Sequence, residues 1–316
     1  MLIKIGRDTP LIGAIAFGII DRGTNLIQVR FTSQCNLNCT FCSVDSGNNS
    51  KWHPNCFEVD LDYLVEEIEK VIKFKGKEIE INLDSVGECF MYPQIEELTK
   101  KIRQIPNVKE ISIQTNATIF KDIDVDRINI SIHSLDDKKS KELAGTASYS
   151  IEKVKGFTQK YKEKGTKVRI CPVWIPKIND EDISEIIKYA KENNFDLGIQ
   201  KYENYKYSRK VPKVKPLNWW KFYKQIELWE KEHDIKLKLS AQDLNIRKAP
   251  RIPEVFKKGD KVYATIKHQG WLKDQMIAVA SDRCISINDC KKEIDDLINI
   301  KILETKNNLY LAEWNT

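Results

Sequence analysis

Hydrophobic positions along the first 240 residues follow two alternating patterns. Residues 26–32 (LIQVRFT) and 78–85 (EIEINLDS) have the β-branched or alternating pattern typical of strands. Residues 61–75 carry apolar side chains at helical spacing, with Asp60 available as an N-cap. Further strands are predicted at 110–115, 127–133, 167–173 and 197–201, and further helices near 94–105, 150–164, 180–193 and 218–232.

Strands that alternate with helices predict a parallel sheet with right-handed crossovers. About six such units precede residue 245, and an apolar run at 11–20 with the turn cluster DRGTN leads into the first strand as a hairpin. The predicted fold class is therefore α/β, with residues 1–245 forming a partial (β/α)6 barrel that begins with a β-hairpin. In such barrels the chemistry lies at the carboxyl ends of the strands.

The pattern changes after residue 245. Residues 246–254 (IRKAPRIPE) contain two prolines and no periodicity, which is typical of a linker. Short β-type runs separated by turn residues follow, and they predict a small β-barrel over residues 252–316.

Composition is that of a globular protein, with 41% apolar and 31% charged residues in 316. The longest apolar run has ten residues, fewer than the ~20 of a membrane span, and no secretory cleavage site is evident. We therefore expect a cytoplasmic protein that does not enter a membrane. The net charge of +6 is concentrated in one segment, from Lys201 to Lys224, which has eight Lys/Arg residues and one acidic residue.

Three cysteines, Cys35, Cys39 and Cys42, lie within the stretch QCNLNCTFCS that follows the first predicted strand. Eight cysteines spread along a chain without an export signal favour metal or redox chemistry over disulfides. A structural zinc site needs a fourth ligand, for which His53 or Cys56 is available. A [4Fe-4S] cluster held by three thiolates would keep one iron open for an exogenous ligand. The spacing favours the cluster and leaves zinc and unligated thiols as alternatives.

This triplet, with Phe41 before its last cysteine and a strand directly before it, resembles the hallmark of the radical S-adenosylmethionine (SAM) superfamily. The resemblance extends over the first ~240 residues and implies a [4Fe-4S] cluster on Cys35, Cys39 and Cys42, with SAM as the second cofactor. In that family the reduced cluster passes one electron to SAM, and the resulting 5′-deoxyadenosyl radical removes a hydrogen atom from the substrate. A reductant protein that supplies the electron is an implied partner.

Four further stretches resemble the family's SAM-binding strand ends. DSVGECFMYP at 84–93 matches the glycine-glycine-glutamate motif at Gly87 and Glu88, whereas Val86 and Cys89 depart from it. By the same resemblance IQTNATI provides Thr115 and Asn116, INISIHSLDD provides Ser131, and VRICPVWIPKIND provides Ile175 near the adenine. Taken singly, Thr115, Asn116 and Ser131 are better explained as ordinary strand-end caps, and Ile175 as part of the core. Their recurrence at successive strand ends, in the family's order, favours the SAM-binding interpretation.

Other candidate groups are fewer. Cys89 and Cys171 fall at predicted strand ends that face the proposed site and are candidates for an additional catalytic thiol, although a buried inert cysteine is the commoner case. His133 is the histidine predicted to line the pocket. The clustered cysteines that a second iron–sulfur cluster would require are absent.

The substrate is indicated by two segments. Residues 201–224 interleave cations with aromatic residues, a combination that suits phosphates and unpaired bases. The alternative is an ordinary helix with Trp220, Tyr223, Ile226 and Trp229 packed inward. The C-terminal runs resemble the TRAM-type or OB-like barrels attached to RNA-modifying enzymes.

Three hypotheses follow. The leading one is a radical SAM enzyme that modifies a nucleotide in tRNA or another structured RNA, bound through residues 201–224 and the C-terminal barrel. The second is a radical SAM enzyme acting on a small metabolite or peptide, with the barrel as a lid. The third is a non-catalytic, zinc-containing RNA-binding protein.

Overall fold

The computed structural model describes residues 1–314, which form two compact units. The first unit contains Met1–Gln34, Ser50–Ile111 and the chain from Arg247 onward, and the second contains Cys35–Asn49 and Ser112–Ile246. The chain returns to the first unit at Arg247, inside the segment predicted as a linker. The last two positions of the predicted C-terminal barrel, 315 and 316, lie outside the described residues.

The first unit begins with two small sets of strands and two helices. Strands β2 and β3 form the predicted antiparallel hairpin, β3 pairs in parallel with β5, and β1 pairs in parallel with β4. Helix α1 begins where predicted, because the Asp60 carboxylate accepts the N–H of Tyr63 at 2.9 Å. The bounds are β1 Leu2–Ile5, β2 Gly18–Asp21, β3 Leu26–Arg30, β4 Cys56–Val59, α1 Leu61–Lys75, β5 Ile79–Leu83, a 3-10 helix Cys89–Met91 and α2 Ile95–Gln104.

The second unit is built on parallel strands joined by helices, as predicted for an α/β fold. Strands β6, β7, β8 and β10 pair in that order, and β9 pairs with β11. The chain enters this unit within β6. The bounds are β6 Val108–Thr115, β7 Arg127–Ile130, α3 Asp137–Ala144, α4 Ile151–Glu163, β8 Lys167–Ile170, β9 Val173–Trp174, α5 Asp180–Glu192, β10 Asp196–Leu197, β11 Gln200–Lys201 and α6 Trp219–His233.

Two sequence predictions in this unit differ from the structure. The strands predicted at 167–173 and 197–201 are each divided in two, as β8 with β9 and as β10 with β11. Pro172, which has no N–H to donate to a ladder, lies at the first of these breaks. Helix α3 was not predicted, because only Leu143 and Ala144 among its eight residues are apolar and no helical period is visible.

The C-terminal part of the first unit is a closed five-stranded barrel, which confirms the predicted small β-barrel. Its strand order is β12-β13-β14-β16-β15, and all pairings are antiparallel except β14 with β16. Ile266, Ile285, Ile300 and Ile302 are fully buried in its core. The bounds are β12 Lys261–Gln269, β13 Met276–Ala280, β14 Arg283–Ile287, β15 Leu297–Glu304 and β16 Leu311–Trp314.

A buried ion pair connects α1, β2 and the segment that precedes the barrel. Lys75 Nζ donates to Asp21 Oδ1 and to the carbonyl of Pro250, both at 2.7 Å. The other Asp21 oxygen accepts the N–H of Ile252 at 2.7 Å. Both charged side chains are removed from solvent, with 0% and 2% exposure, so the pair ties three parts of the first unit together.

Among the described residues, no helix combines the length and the apolar character that a membrane span needs.

Candidate cofactor site

The three clustered cysteines lie on residues 35–49, here named the cysteine loop, which contains no helix or strand. Cys35, Cys39 and Cys42 are half-buried and form no disulfide. Burial, followed by the proximity of Cys35 and Cys42, raises the pKa of the Cys39 thiol. The N–H of Ser46 points to Cys42 Sγ at 3.4 Å. Cys35 and Cys42 are therefore close enough to Cys39 to influence its ionisation.

The first anchor of the cysteine loop is the end of β6. Asn116 Nδ2 donates to Asn36 Oδ1 at 2.9 Å, and Asn36 Nδ2 donates to Thr118 Oγ1 at 2.8 Å. Ala117, between Asn116 and Thr118 in the sequence, is fully buried and adopts a positive φ of 51°, a conformation that non-glycine residues rarely take. The Asn116 side chain thus connects β6 to the loop, a contact that the sequence did not indicate.

The second anchor is the C-terminus of α3. The last helical carbonyls, those of Leu143 and Ala144, accept the N–H groups of Thr40 and Asn38, each at 3.0 Å. Gly145 ends the helix with a φ of 64°, and a Cβ atom there would lie 2.0 Å from the carbonyl oxygen of Asn38. Only glycine permits both the left-handed turn and this approach.

A third contact is hydrophobic. Phe41, the aromatic residue before the last cysteine, is buried in a cluster with Leu143, Ile175 and Tyr202. Ile175 is completely buried and belongs to this hydrophobic cluster. Its predicted contact with the SAM adenine remains a prediction.

His133 also lies against Phe41, with the two rings edge to face and their centroids 4.7 Å apart. Its Nδ1 accepts the N–H of Val173 at 3.0 Å, and burial lowers its pKa to about 4. The ring is therefore neutral at physiological pH, and its remaining hydrogen is on Nε2.

The predicted residues Thr115 and Ser131 occupy neighbouring positions where β6 and β7 end. The N–H of Ser131 donates to the Thr115 carbonyl, and its Oγ accepts from Gln114 Nε2, both at 2.9 Å. Thr115 Oγ1 accepts the N–H of Ala117 at 2.9 Å. The structure brings Thr115, Asn116 and Ser131 together at one end of the second unit's sheet, while their role toward SAM stays a prediction.

Gly87 and Glu88 lie in the first unit, beside the residue that immediately precedes Cys35. The N–H of Glu88 donates to the carbonyl of Gln34 at 2.7 Å. A Cβ atom on Gly87 would lie 2.0 Å from the same oxygen, so this position requires glycine. The Glu88 carboxylate accepts the N–H of Phe90 at 3.0 Å.

Neither additional cysteine is an exposed thiol. Cys89 is 1% exposed, donates to the carbonyl of Leu83 at 3.4 Å, and has its pKa raised by burial. Cys171 is 5% exposed and donates to the carbonyl of Arg169 at 3.8 Å. A thiol buried in this way is a poor nucleophile, so these surroundings favour a structural role for both.

The cysteine loop fits a [4Fe-4S] cluster by its donor chemistry. Three thiols on one anchored loop would each bind a different iron, and the backbone N–H of Ser46 would tune the sulfur of Cys42. In residues 1–314 no three His, Cys, Asp or Glu side chains are arranged to hold a single metal ion.

Comparison with known proteins gives consistent matches. Residues 29–190 match the Radical SAM superfamily. The chain is 36% identical to an uncharacterized protein of Methanocaldococcus jannaschii, over 98% of this chain and 80% of that protein. It is 28% identical to the GTP 3′,8-cyclase of Listeria monocytogenes, over 56% of this chain and 53% of the cyclase.

Streptococcus suis SuiB, solved with S-adenosylmethionine bound, has a similar fold, with a TM-score of 0.51 at 18% identity over 68% of this chain and 49% of SuiB. The chain thus spans about half the length of the cyclase and of SuiB. The family match over about half of the chain shows that it belongs to the radical SAM superfamily, whose members are enzymes that carry a [4Fe-4S] cluster and use SAM.

Proposed function

We propose that this radical SAM enzyme modifies a nucleotide in tRNA or another structured RNA. The observation that carries the proposal is a surface formed by residues 205–224 of the second unit, here named the aromatic–lysine surface. Its exposed members are Tyr205, Lys206, Lys210, Lys213, Lys215, Trp219, Trp220, Lys221, Tyr223 and Lys224.

The aromatic rings on this surface are unusually accessible. Trp220 is 67% exposed, Tyr205 57% and Trp219 56%. The inward-packed alternative is wrong for Trp220 and Tyr223, which are exposed, and right for Ile226 and Trp229, which α6 buries together with Phe222. Large aromatic residues left in solvent near the start of one helix, as Trp219, Trp220 and Tyr223 are on α6, mark an interaction site.

Lysines accompany these rings closely. Lys224 Nζ lies 5.0 Å from the centre of the Trp220 ring, and Trp219 stacks on Tyr223 with 5.7 Å between ring centres. Aromatic faces stack on unpaired bases, and lysines neutralise the phosphates that connect them. The combination suits a single-stranded or looped part of an RNA.

We extend the proposal to one side of the C-terminal barrel. Tyr263 is 68% exposed on β12, where it pairs with Asn299 of β15, and Lys261 and Lys301 pair next to it. The opposite part of the barrel is unsuitable, because every residue of β14 is buried. There the N–H and Sγ of Cys284 donate to the carbonyls of Ile12 and Pro10.

When bound, the cluster and SAM supply a 5′-deoxyadenosyl radical that removes a hydrogen atom from the substrate, after one electron has arrived from a reductant protein. The chain's own residues hold and shield that chemistry. The buried hydrophobic side chains around Phe41 exclude water from one side of the cysteine loop.

Two sets of variants test RNA binding, with tRNA as the probe. Replacing Lys206, Lys210 and Lys213 with Gln should make tRNA affinity depend less steeply on salt. The magnitude of the slope of log affinity against log salt concentration should fall by roughly 2–3, because each phosphate contact contributes about 0.7–0.9 to it. Gln at Lys153, Lys160 and Lys188, exposed lysines of α4 and α5, is the matched control and should leave the slope unchanged.

Trp220→Ala should weaken tRNA binding by roughly 5- to 150-fold at an unchanged salt slope, since stacking contributes about 1–3 kcal/mol per base. Phe74→Ala is the matched control, because Phe74 is 47% exposed on α1. Affinity that is weak and indifferent to salt would refute the RNA proposal. Activity is then measured anaerobically as 5′-deoxyadenosine formed with RNA from cells lacking the gene, followed by nucleoside mass spectrometry.

A small substrate is the second candidate, and the similarity to a GTP 3′,8-cyclase favours a free nucleotide within this class. Formation of 5′-deoxyadenosine with GTP but not with RNA would support it. The third hypothesis, a non-catalytic zinc protein, is wrong because the chain belongs to the radical SAM superfamily. Iron and sulfide analysis of anaerobically purified protein provides the direct check.

A further inference from the structure

Arg209 is part of the basic segment, but its side chain is bonded to the cysteine loop. Nε donates to Asp45 Oδ1 at 2.6 Å, Nη1 to the carbonyl of Cys39 at 3.2 Å, and Nη2 to the carbonyl of Ser46 at 2.6 Å. The backbone N–H of Arg209 donates to the carbonyl of Cys42 at 2.9 Å. Arg209 therefore contacts the cysteine loop at its second and third cysteines and at the turn that follows the third.

The contact depends on the guanidinium group. Its nitrogens donate in a fixed planar fork, whereas a lysine has a single nitrogen and cannot reach three separate acceptors in this arrangement. The pair is well removed from solvent, since the Arg209 and Asp45 side chains are 15% and 2% exposed. Asp45 also adopts a positive φ of 50°, a left-handed conformation that few residues other than glycine, asparagine and aspartate take.

The segment on either side of Arg209 is itself fixed. Ser208 is 5% exposed, and its Oγ accepts the N–H of Tyr205 at 3.0 Å. The N–H of Val211 donates to the hydroxyl of Tyr202 at 3.0 Å, and Tyr202 is 1% exposed. The position of the guanidinium is thus set by buried contacts, and Arg209 does not belong to the aromatic–lysine surface.

We propose that Arg209 is a positioning residue for the iron–sulfur cluster, which fixes the cysteine loop and places a permanent positive charge beside it. The assignment is independent of the RNA substrate. A nearby positive charge favours the reduced cluster, which is one unit more negative than the oxidised one, and so raises the reduction potential. The charge would make the first electron easier to accept.

The test is the midpoint potential of the reconstituted [4Fe-4S] cluster, followed by electron paramagnetic resonance during an anaerobic redox titration. Arg209→Gln should lower the potential relative to the wild type. Arg209→Lys keeps the charge and should stay closer to the wild-type potential, with a broader signal because the loop is held by fewer bonds. Lys210→Gln, which removes the exposed neighbouring cation, is the matched control and should leave the potential unchanged.

A second pair of variants covers the case in which Arg209→Gln does not load iron. In a protein that already carries Asp45→Asn, removing the Arg209 guanidinium leaves no buried carboxylate without its ion-pair partner. Adding Arg209→Gln to that protein should still lower the potential. Equal potentials in the presence and absence of Arg209 in both backgrounds would overturn the proposal. So would a shift from Lys210→Gln as large as that from Arg209→Gln.

Discussion

Replacement of Gly87 by alanine tests how the first unit holds the backbone next to the cysteine loop. The added Cβ would lie 2.0 Å from the carbonyl oxygen of Gln34 and 2.6 Å from its carbon. Both atoms belong to the backbone, so no side-chain rotation relieves the clash. The two segments must separate, which also lengthens the 2.7 Å hydrogen bond from the N–H of Glu88 to Gln34.

The expected loss follows from these two effects. Overpacking costs about 1–3 kcal/mol, and a hydrogen bond of this kind contributes about 1 kcal/mol. We expect Gly87→Ala to lower the free energy of unfolding by about 2–4 kcal/mol, a large part of the roughly 5–15 kcal/mol that stabilises a typical domain. Because Cys35 follows Gln34 directly, we also expect less iron per chain after reconstitution.

Gly156→Ala is the matched control. Gly156 lies within α4, and a Cβ atom there would meet nothing within 4 Å. Alanine is the better helix former by about 0.5–1 kcal/mol, so this variant should be slightly more stable than the wild type. The assay is anaerobic chemical denaturation of the three proteins together with iron analysis. A Gly87→Ala protein with wild-type stability and iron content would refute the reasoning.

Three further predictions concern single residues. Lys75→Met breaks a buried ion pair and should cost about 3–5 kcal/mol, whereas Lys101→Met, at an exposed pair, should cost much less; equal losses in thermal denaturation would contradict this. Burial lowers the pKa of His133 to about 4. As pH falls below about 6.5, His133 therefore takes up a proton in the unfolded chain but not in the folded chain, and the free energy of unfolding decreases. His133→Asn should reduce that pH slope by up to about 1.4 kcal/mol per unit, and an unchanged slope in denaturation between pH 7 and pH 4 would count against the assignment. Alanine at Cys35, Cys39 or Cys42 should each abolish cluster iron and 5′-deoxyadenosine formation, whereas Cys284→Ala should keep both; an active triplet variant would contradict the cluster assignment.

The sequence predicted the elements whose signal is local. Helix α1 combines a clear apolar stripe with the Asp60 cap, and both are present in the structure. The cysteine spacing and the strand before it led to the family that the comparisons show. These features could be found because each is contained in a short stretch of chain.

Contacts between distant residues could not be found in this way. Asn36 and Asn116 are 80 positions apart, and nothing in either segment indicates that their amides meet. Periodicity on α6 was also ambiguous, because Trp220 and Tyr223 have the same helical spacing as the buried Phe222, Ile226 and Trp229. Only tertiary packing decides which of two equally spaced faces is buried.

The same distant contacts explain how an irregular loop can present three thiols in a defined arrangement. The cysteine loop has no internal ladder of hydrogen bonds, yet the end of β6 holds it at Asn36, the C-terminus of α3 at Asn38 and Thr40, and the hydrophobic cluster at Phe41. Ordering a residue costs about 1–2 kcal/mol of conformational entropy, and here that ordering accompanies folding of the second unit. When an iron–sulfur cluster binds a loop that is already held in this way, less of the chain has to become ordered. The fold therefore contributes to cofactor affinity before any iron is present.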